Sequence, residues 1–525
     1  MKKKLINQKY LAGLLTLTVF FASCSEDALD GVNRDRNNTA DVSAKFILTD
    51  LMTSTAFSVA GGDISLYSSV YVEHETGVHN QTYNAEIRSG EPTLATTNNN
   101  SWNAIYQNIK NAKIAIAKTS AGGPEEGNDV TNGIAKVLLA YNLGVLTDFF
   151  GDAPFSETGI MNEDGTPKYY QPKIEKQSEL YPQIQQFLDE AIASLAGTDA
   201  GVTGGIGTQD LIYGGAKAQW IKAAYGLKAR YLMHTLKVSS NANADLATIL
   251  SYIDKSFTSV SDEMKFDRYD GVQAVNPLFG YTNARDGLGA SKSLLTKFTE
   301  YEDPRGEPAF GVWGSQAVVH ISLADALEEA APNGAPEQVQ YFYPLCFANY
   351  AYGAPTMLLS YHELMFLKAE ALARLQRTEE AEEALQGAVV AAFANFERSL
   401  EYGIEYVAQV APEVLDLSEE VALDYFENSV KARFTENPLK EIMVQKYLGF
   451  YGASGESTEA FNDIRRMKAL GEDFITLANP KNVSQFPLRF PYGNSDVTTN
   501  QHIFDAYGNG SYVYTENVWW AGGTR

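Results

Sequence analysis

Apolar residues fall at helical spacing in one segment after another of this chain. In "SWNAIYQNIKNAKIAIAKT", residues 101–119, the stripe runs through Trp102, Ile105, Ile109, Ala112 and Ile116. Steps of three and four residues line one face of a helix but scatter across both faces of a strand. "TNGIAKVLLAYNLGVLTDFF", "SELYPQIQQFLDEAIASLA" and "AKAQWIKAAYGLKARYLMHTL" follow, separated by Gly-rich joints such as "GTDAGVTGGIGTQD". Helices resume at "LLSYHELMFLKAEALARLQ", where Ser360 and Glu363 have the spacing of a capping box. "TEEAEEALQGAVVAAFANF" is its partner, with acids in the first turn where the helix dipole favours them. "NPLKEIMVQKYLGFYG" and "STEAFNDIRRMKAL" form another pair. Each helix must bury its stripe against a neighbour, so the spacing predicts a mainly α chain of packed helix pairs.

The pairs are only repeat-like, because the strict tetratricopeptide consensus is not matched. Large inserts interrupt them, which favours a single compact domain over an open solenoid. Residues 61–100 show no helical period and read as loop. Residues 255–355 are dense in Gly, Pro, Asn, Asp and aromatics, and long ordered loops tend to be functional. This insert sets Tyr269, Phe279, Tyr281 and Trp313 beside Asp267, Asn276, Asn283, Arg285 and Asp286. A sugar ring offers an apolar face and a rim of hydroxyls; aromatic planes cover the first and such polar groups bond the second. The four aromatics are therefore the candidate ligand-binding residues. Trp102 and Trp220 lie on apolar helix stripes and read as core, while Trp519 and Trp520 could pack or bind.

The chain begins with Lys2, Lys3, Lys4 and Lys9, then an apolar run from Leu11 to Phe21, then Ala22-Ser23-Cys24. That order is an export signal, and the run is too short for the ~20 residues of a membrane span. After it, no segment is expected to be long and apolar enough to cross a membrane. Phe21-Ala22-Ser23-Cys24 is similar to a bacterial lipobox, which makes Cys24 the lipidation site, residues 1–23 the signal peptide and 24–40 a tether. Loss of residues 1–23 removes four lysines and no acids, deepening the formal charge from −24 to −28. Such a charge repels nucleic acid and anionic membrane surfaces. Cys346, in "YPLCFANY", is expected to be a buried free thiol.

Catalytic patterns are missing. His74 and His79 in "HETGVH" stand five apart, where a zinc-protease helix needs four. No phosphate loop and no Gly-x-Ser-x-Gly elbow occurs. No cofactor and no metal ligands are expected.

Several segments together resemble the SusD/RagB family of outer-membrane nutrient-binding lipoproteins, and more narrowly its SusD-like branch. "LTDFFGDAPFSET" resembles the family's helix-end motif through Gly151, Asp152 and Pro154, with Phe150 and Phe155 replacing tyrosines. Asp303-Pro304-Arg305 matches a second motif, and Glu363, Ala369, Glu370 and Ala371 a third. "EIMVQKYLGFYGASGESTEAFNDIRRM" resembles the segment ending in paired arginines, here Arg465 and Arg466, which with Glu370 are expected to tie helices by ion pairs. Arg489 and Asn500 fit the C-terminal motif, with Asp496 near the family's Glu. The resemblance implies four tetratricopeptide-like helix pairs packed against a loop-rich lobe over 41–525. It implies no enzyme, but a surface-exposed, lipid-anchored protein of the outer membrane. Its helical side would dock on a SusC-like TonB-dependent transporter. Its loop-rich side would hold an oligosaccharide or peptide nutrient. A structural scaffold lipoprotein and an extracellular glycosidase are the alternatives.

Overall fold

The computed structural model describes residues 42–162 and 165–525. Cys24, the signal segment and the tether lie outside the described residues. Helix outweighs strand, 58% against 7%, which makes the fold mainly α. The N-terminal half holds α1 (Ala44–Ser54), α2 (Asp63–Tyr71), α3 (Asn99–Thr119), α4 (Asp129–Phe150), α5 (Gln177–Leu195), α6 (Lys217–His234) and α7 (Ala242–Ile253). The middle contains α8 (Pro277–Arg285) and α9 (Lys292–Glu300). The C-terminal part contributes α10 (Tyr361–Arg374), α11 (Thr378–Val407), α12 (Pro438–Gly449) and α13 (Ser457–Leu470). From α3 to α7 each helix packs on the next, and α10 packs on both α11 and α12. These are the helix pairs expected from the apolar period, except that α13, expected to pair with α12, packs chiefly on α2 while α12 packs on α10 and α11, all within one unit spanning Ala44–Arg525.

α4 is the centre of the N-terminal half. It is buried on nearly every side, and only Asp129, Lys136 and Val145 reach solvent appreciably. By length and composition α4 could cross a membrane, yet 89% of its apolar window is buried within the protein. α4 ends at Gly151, whose φ of 75° is left-handed and whose missing Cβ leaves room for the Arg489 guanidinium. Asp152 then accepts from the Gln177 amide at 2.8 Å and from Lys176 Nζ at 2.8 Å. The Gly-Asp-x-Pro stretch thus stops α4 and anchors the start of α5.

Three family-motif residues sit where helices cross. Glu370 of α10 accepts from Arg466 of α13 at 2.5 and 2.7 Å and from Arg374 at 2.8 Å. Burial alone would raise the Glu370 carboxyl, but Arg466 and Arg374 hold it well below the usual range. Arg465 departs from expectation. It donates to the carbonyls of Asp148 and Leu488 and lies over the Phe461 and Trp520 rings, so it ties main chain rather than pairing with an acid across helices. The capping box is likewise half formed. Ser360 Oγ accepts from the Glu363 amide at 3.1 Å, but the Glu363 carboxylate turns to Arg230 of α6, at 2.6 Å from its Nε.

The 61–100 stretch is not a loop throughout. It contains α2 and a short helix, Asn80–Glu86. α2 buries Ser68 and Ser69 with its apolar residues, so burial all round hides the amphipathic stripe. The 255–355 insert is short strands and helices. β1 (Glu75–Gly77) pairs antiparallel with β5 (Leu288–Ala290). β2 (Ala153–Pro154) pairs with β3 (Ile174–Glu175), and β4 (Met264–Phe266) with β9 (Thr356–Leu359). β6 (Phe310–Trp313) lies between β7 (Val318–His320) and β8 (Leu345–Cys346). β10 (Ala408–Val410), at the end of α11, runs parallel to β7. That pairing joins the insert to the helix pairs. Cys346 is buried, and burial pushes its thiol up to about 12.

Candidate functional site

α8 organises the loop-rich lobe. Asn276 caps its start, accepting from the Leu278 amide at 2.9 Å while its own amide reaches the Ala354 and Ala453 carbonyls. Asp286 caps its end in the left-handed region, at φ 42°. On one side of α8 aromatic rings come to the surface. Trp313, at the end of β6, meets Tyr341 edge-on at 5.2 Å and Tyr350 at 5.8 Å. Tyr406 of α11 stands edge-on to Phe279 at 4.7 Å, and its hydroxyl donates to Asn283 at 3.3 Å. Tyr352 bridges Tyr402 and Tyr406. Tyr341, Phe342 and Tyr406 are 54%, 60% and 47% exposed, a concentration of exposed rings that packing alone does not require.

Asp286 holds this face together. Its carboxylate accepts from the Tyr341 amide and, at 3.3 Å, from the Tyr350 hydroxyl. Burial raises its pKa, and those hydrogen bonds together with the Trp313 indole work against the rise. Tyr341 is also left-handed, at φ 56°. Two non-glycine residues in that region, joined by one hydrogen bond, are a local strain of the kind found where side chains are held for use. Arg285 and Gln340 lie alongside and supply polar groups at the rim; the Gln340 amide donates to the Arg285 carbonyl.

On the other side of α8 is a cavity of about 220 Å³, walled by Pro277, Leu278, Tyr281 and Phe57 and floored by His74, Glu75 and Tyr451. His74 Nε2 donates to the Tyr447 carbonyl at 2.9 Å, so Nδ1 accepts from Ser457 Oγ at 3.0 Å. Burial pushes this imidazole down to about 3, so it stays neutral. Burial also pushes the Glu75 carboxyl up to about 8, which Asn349 and Tyr451 offset only in part. Glu75 Oε2 completes no hydrogen bond. The cavity floor therefore carries a protonated acid at neutral pH.

The description of the family model that matches residues 36–493 is "starch-binding associating with outer membrane", and its name is SusD-like. The chain belongs to the SusD-like family. A SusD/RagB family protein from Bacteroides thetaiotaomicron is 48% identical over 92% of this chain and all of its own, with a TM-score of 0.88. A SusD homologue from Bacteroides fragilis is 19% identical over 92% of this chain and all of its own, at a TM-score of 0.68. A chitin-binding protein is 20% identical over 91% of this chain and all of its own, at 0.65. At those lower identities the likeness is one of fold. No curated protein matches the chain.

In this SusD-like protein the four sequence-predicted aromatics separate. Trp313 belongs to the exposed ring cluster. Tyr281 walls the cavity, its hydroxyl 3.1 Å from Thr82 Oγ1. Tyr269 packs on Phe57 and Phe266, with its hydroxyl 2.7 Å from Thr356 Oγ1, behind the cavity wall. Phe279 is 5% exposed and supports Tyr406 from beneath. Tyr341, Phe342, Tyr402 and Tyr406 were not singled out by sequence. The signals available were the aromatic run "YFY" and the one-turn spacing of Tyr402 and Tyr406 on α11.

Proposed function

We propose that this protein is a surface lipoprotein that binds an oligosaccharide and delivers it to a SusC-like TonB-dependent transporter of the outer membrane. The observation that carries the reading is the aromatic face on which half-buried Trp313 supports exposed Tyr341, followed in sequence by exposed Phe342, and on which Tyr406 also reaches solvent, with Asn283, Arg285 and Gln340 beside these rings. Flat apolar planes with hydrogen-bonding groups at their edges suit stacked sugar rings. The family's starch-binding description agrees with a glycan ligand. Asp286, the carboxyl beside these rings, is engaged by the Tyr341 amide and the Tyr350 hydroxyl, so we assign it a positioning role and expect binding without turnover. In this reading Cys24 carries the lipid, and the helix pairs face the transporter.

A panel of oligosaccharides and peptides, screened against the full chain, would identify the ligand. Titration calorimetry on Trp313→Ala and Tyr341→Ala should then show losses of about 1–3 kcal/mol each, roughly a tenfold to hundredfold fall in affinity. Undiminished affinity in both variants, with unchanged thermal melts, would remove the ring cluster as the binding face. Selective capture of peptides would overturn the glycan assignment.

A further inference from the structure

Away from the ring cluster, α9, α12 and the 474–478 segment enclose a second cavity, of about 410 Å³. Lys292 and Lys297 of α9 and Lys440 of α12 all line it, against a single carboxylate, Glu300, at its rim. This is unusual in a chain whose formal charge is −24. Lys292 and Lys440 are exposed at the mouth, but Lys297 is only 9% exposed. An ammonium that deep ordinarily has a carboxylate partner, because desolvation is costly for an unpaired charge. Among the described residues Lys297 makes no ion pair. Nζ donates to Ser293 Oγ at 2.8 Å and to the Ser293 carbonyl at 3.3 Å and lies 5.6 Å from the centre of the Tyr447 ring, so its third N–H has an aromatic face beside it but no oxygen acceptor. Burial accordingly lowers its pKa, with Glu73 and Glu300 opposing. Glu73 acts on it only through its charge, since its carboxylate is held by the backbone amides of Ala478 and Asn479 and the side-chain amide of Asn482 and makes no ion pair with Lys297.

Three ammonium groups line one open space with the carboxylates of Glu300 and Glu73 nearby, and an anion placed between them would relieve their mutual repulsion and give the third Lys297 N–H an oxygen acceptor. The walls beside them include Tyr301 and Phe474, both partly exposed. We propose that this cavity is a second ligand site, which takes an anionic sugar residue. Its carboxylate or sulfate sits among Lys292, Lys297 and Lys440, and its ring lies against Tyr301 or Phe474. The sugar part of this proposal rests on the glycan reading above; the anion part stands on the lysines alone.

Titration calorimetry of the full chain with galacturonate, galactose 6-sulfate, galactose and inorganic sulfate tests it. The two charged sugars should bind, and galactose and inorganic sulfate should bind at least tenfold more weakly. Lys292→Ala combined with Lys440→Ala should reduce galacturonate affinity at least tenfold, and both side chains are exposed, so the fold is left intact. Lys297→Met, which keeps an apolar stem in the buried position, should do the same. Trp313→Ala should leave galacturonate binding unchanged, which separates this site from the ring cluster. Equal binding of galactose and galacturonate, undiminished binding in the double variant, or no binding of either charged sugar would overturn the proposal. Inorganic sulfate matching galacturonate would overturn its sugar part.

Discussion

Replacing Glu75 by Gln should change how stability depends on pH, and the size of the change follows from the cavity floor. In the folded protein burial holds this carboxyl at about 8, against 4.5 for a glutamate in water. The native state therefore keeps a proton that the unfolded chain releases as pH rises above 4.5. The state with more bound protons loses stability as protons become scarce, so this group's contribution falls as pH rises from 4.5 to about 8, then levels off. One proton held in the native state alone costs about 1.4 kcal/mol for every pH unit climbed, which gives a total of about 5 kcal/mol over that range. Gln has nearly the same shape and cannot ionise. Denaturant unfolding of both proteins at pH 5, 6, 7 and 8 measures the difference directly. Glu86 and Glu441, both pushed up to about 7 by burial, titrate in the same direction but are common to the two proteins and cancel. The advantage of Glu75→Gln over wild type should grow by roughly 1.4 kcal/mol per pH unit between 5 and 8. A difference that stays constant across that range would refute a protonated Glu75 in the cavity floor.

Glu370→Gln should cost about 3 kcal/mol, because it removes the bidentate partner of the buried Arg466 guanidinium and leaves it only Asp463. Adding Arg466→Met should recover much of that loss in the same unfolding assay; a single-variant cost below about 1 kcal/mol would show the pair to be dispensable. Cys24→Ala should abolish lipid attachment, detected as loss of acyl labelling and release from outer-membrane fractions. Persistent labelling and membrane attachment in that variant would dismiss Cys24 as the anchor.

The helix pairs were legible where helices such as α3 and α5 bury one side, because a one-sided burial writes a 3.6-residue period into the residues themselves. α2 was not, because it is buried on almost every side and its Ser68 and Ser69 sit among core residues. The family motifs pointed to helix junctions, and Glu370 with Arg466 is such a junction. Which partner Arg465 or Glu363 takes was not in the motif, since each reaches a group more than a hundred residues away, at Asp148 or Arg230. Composition marked residues 255–355 as the candidate ligand-bearing lobe, but not which rings reach solvent. Phe279 and Tyr281 are two residues apart and leave α8 on different sides, one beneath Tyr406 and one into the cavity. The exposed cluster draws Trp313 from β6, Tyr341 from the loop before β8 and Tyr406 from α11. The three-lysine cavity likewise needs α9 and α12 side by side. Local sequence specifies which face of a segment is apolar, because that depends on neighbours three and four residues away. Which distant segments share a surface depends on how the helices pack, and that only the tertiary structure decided.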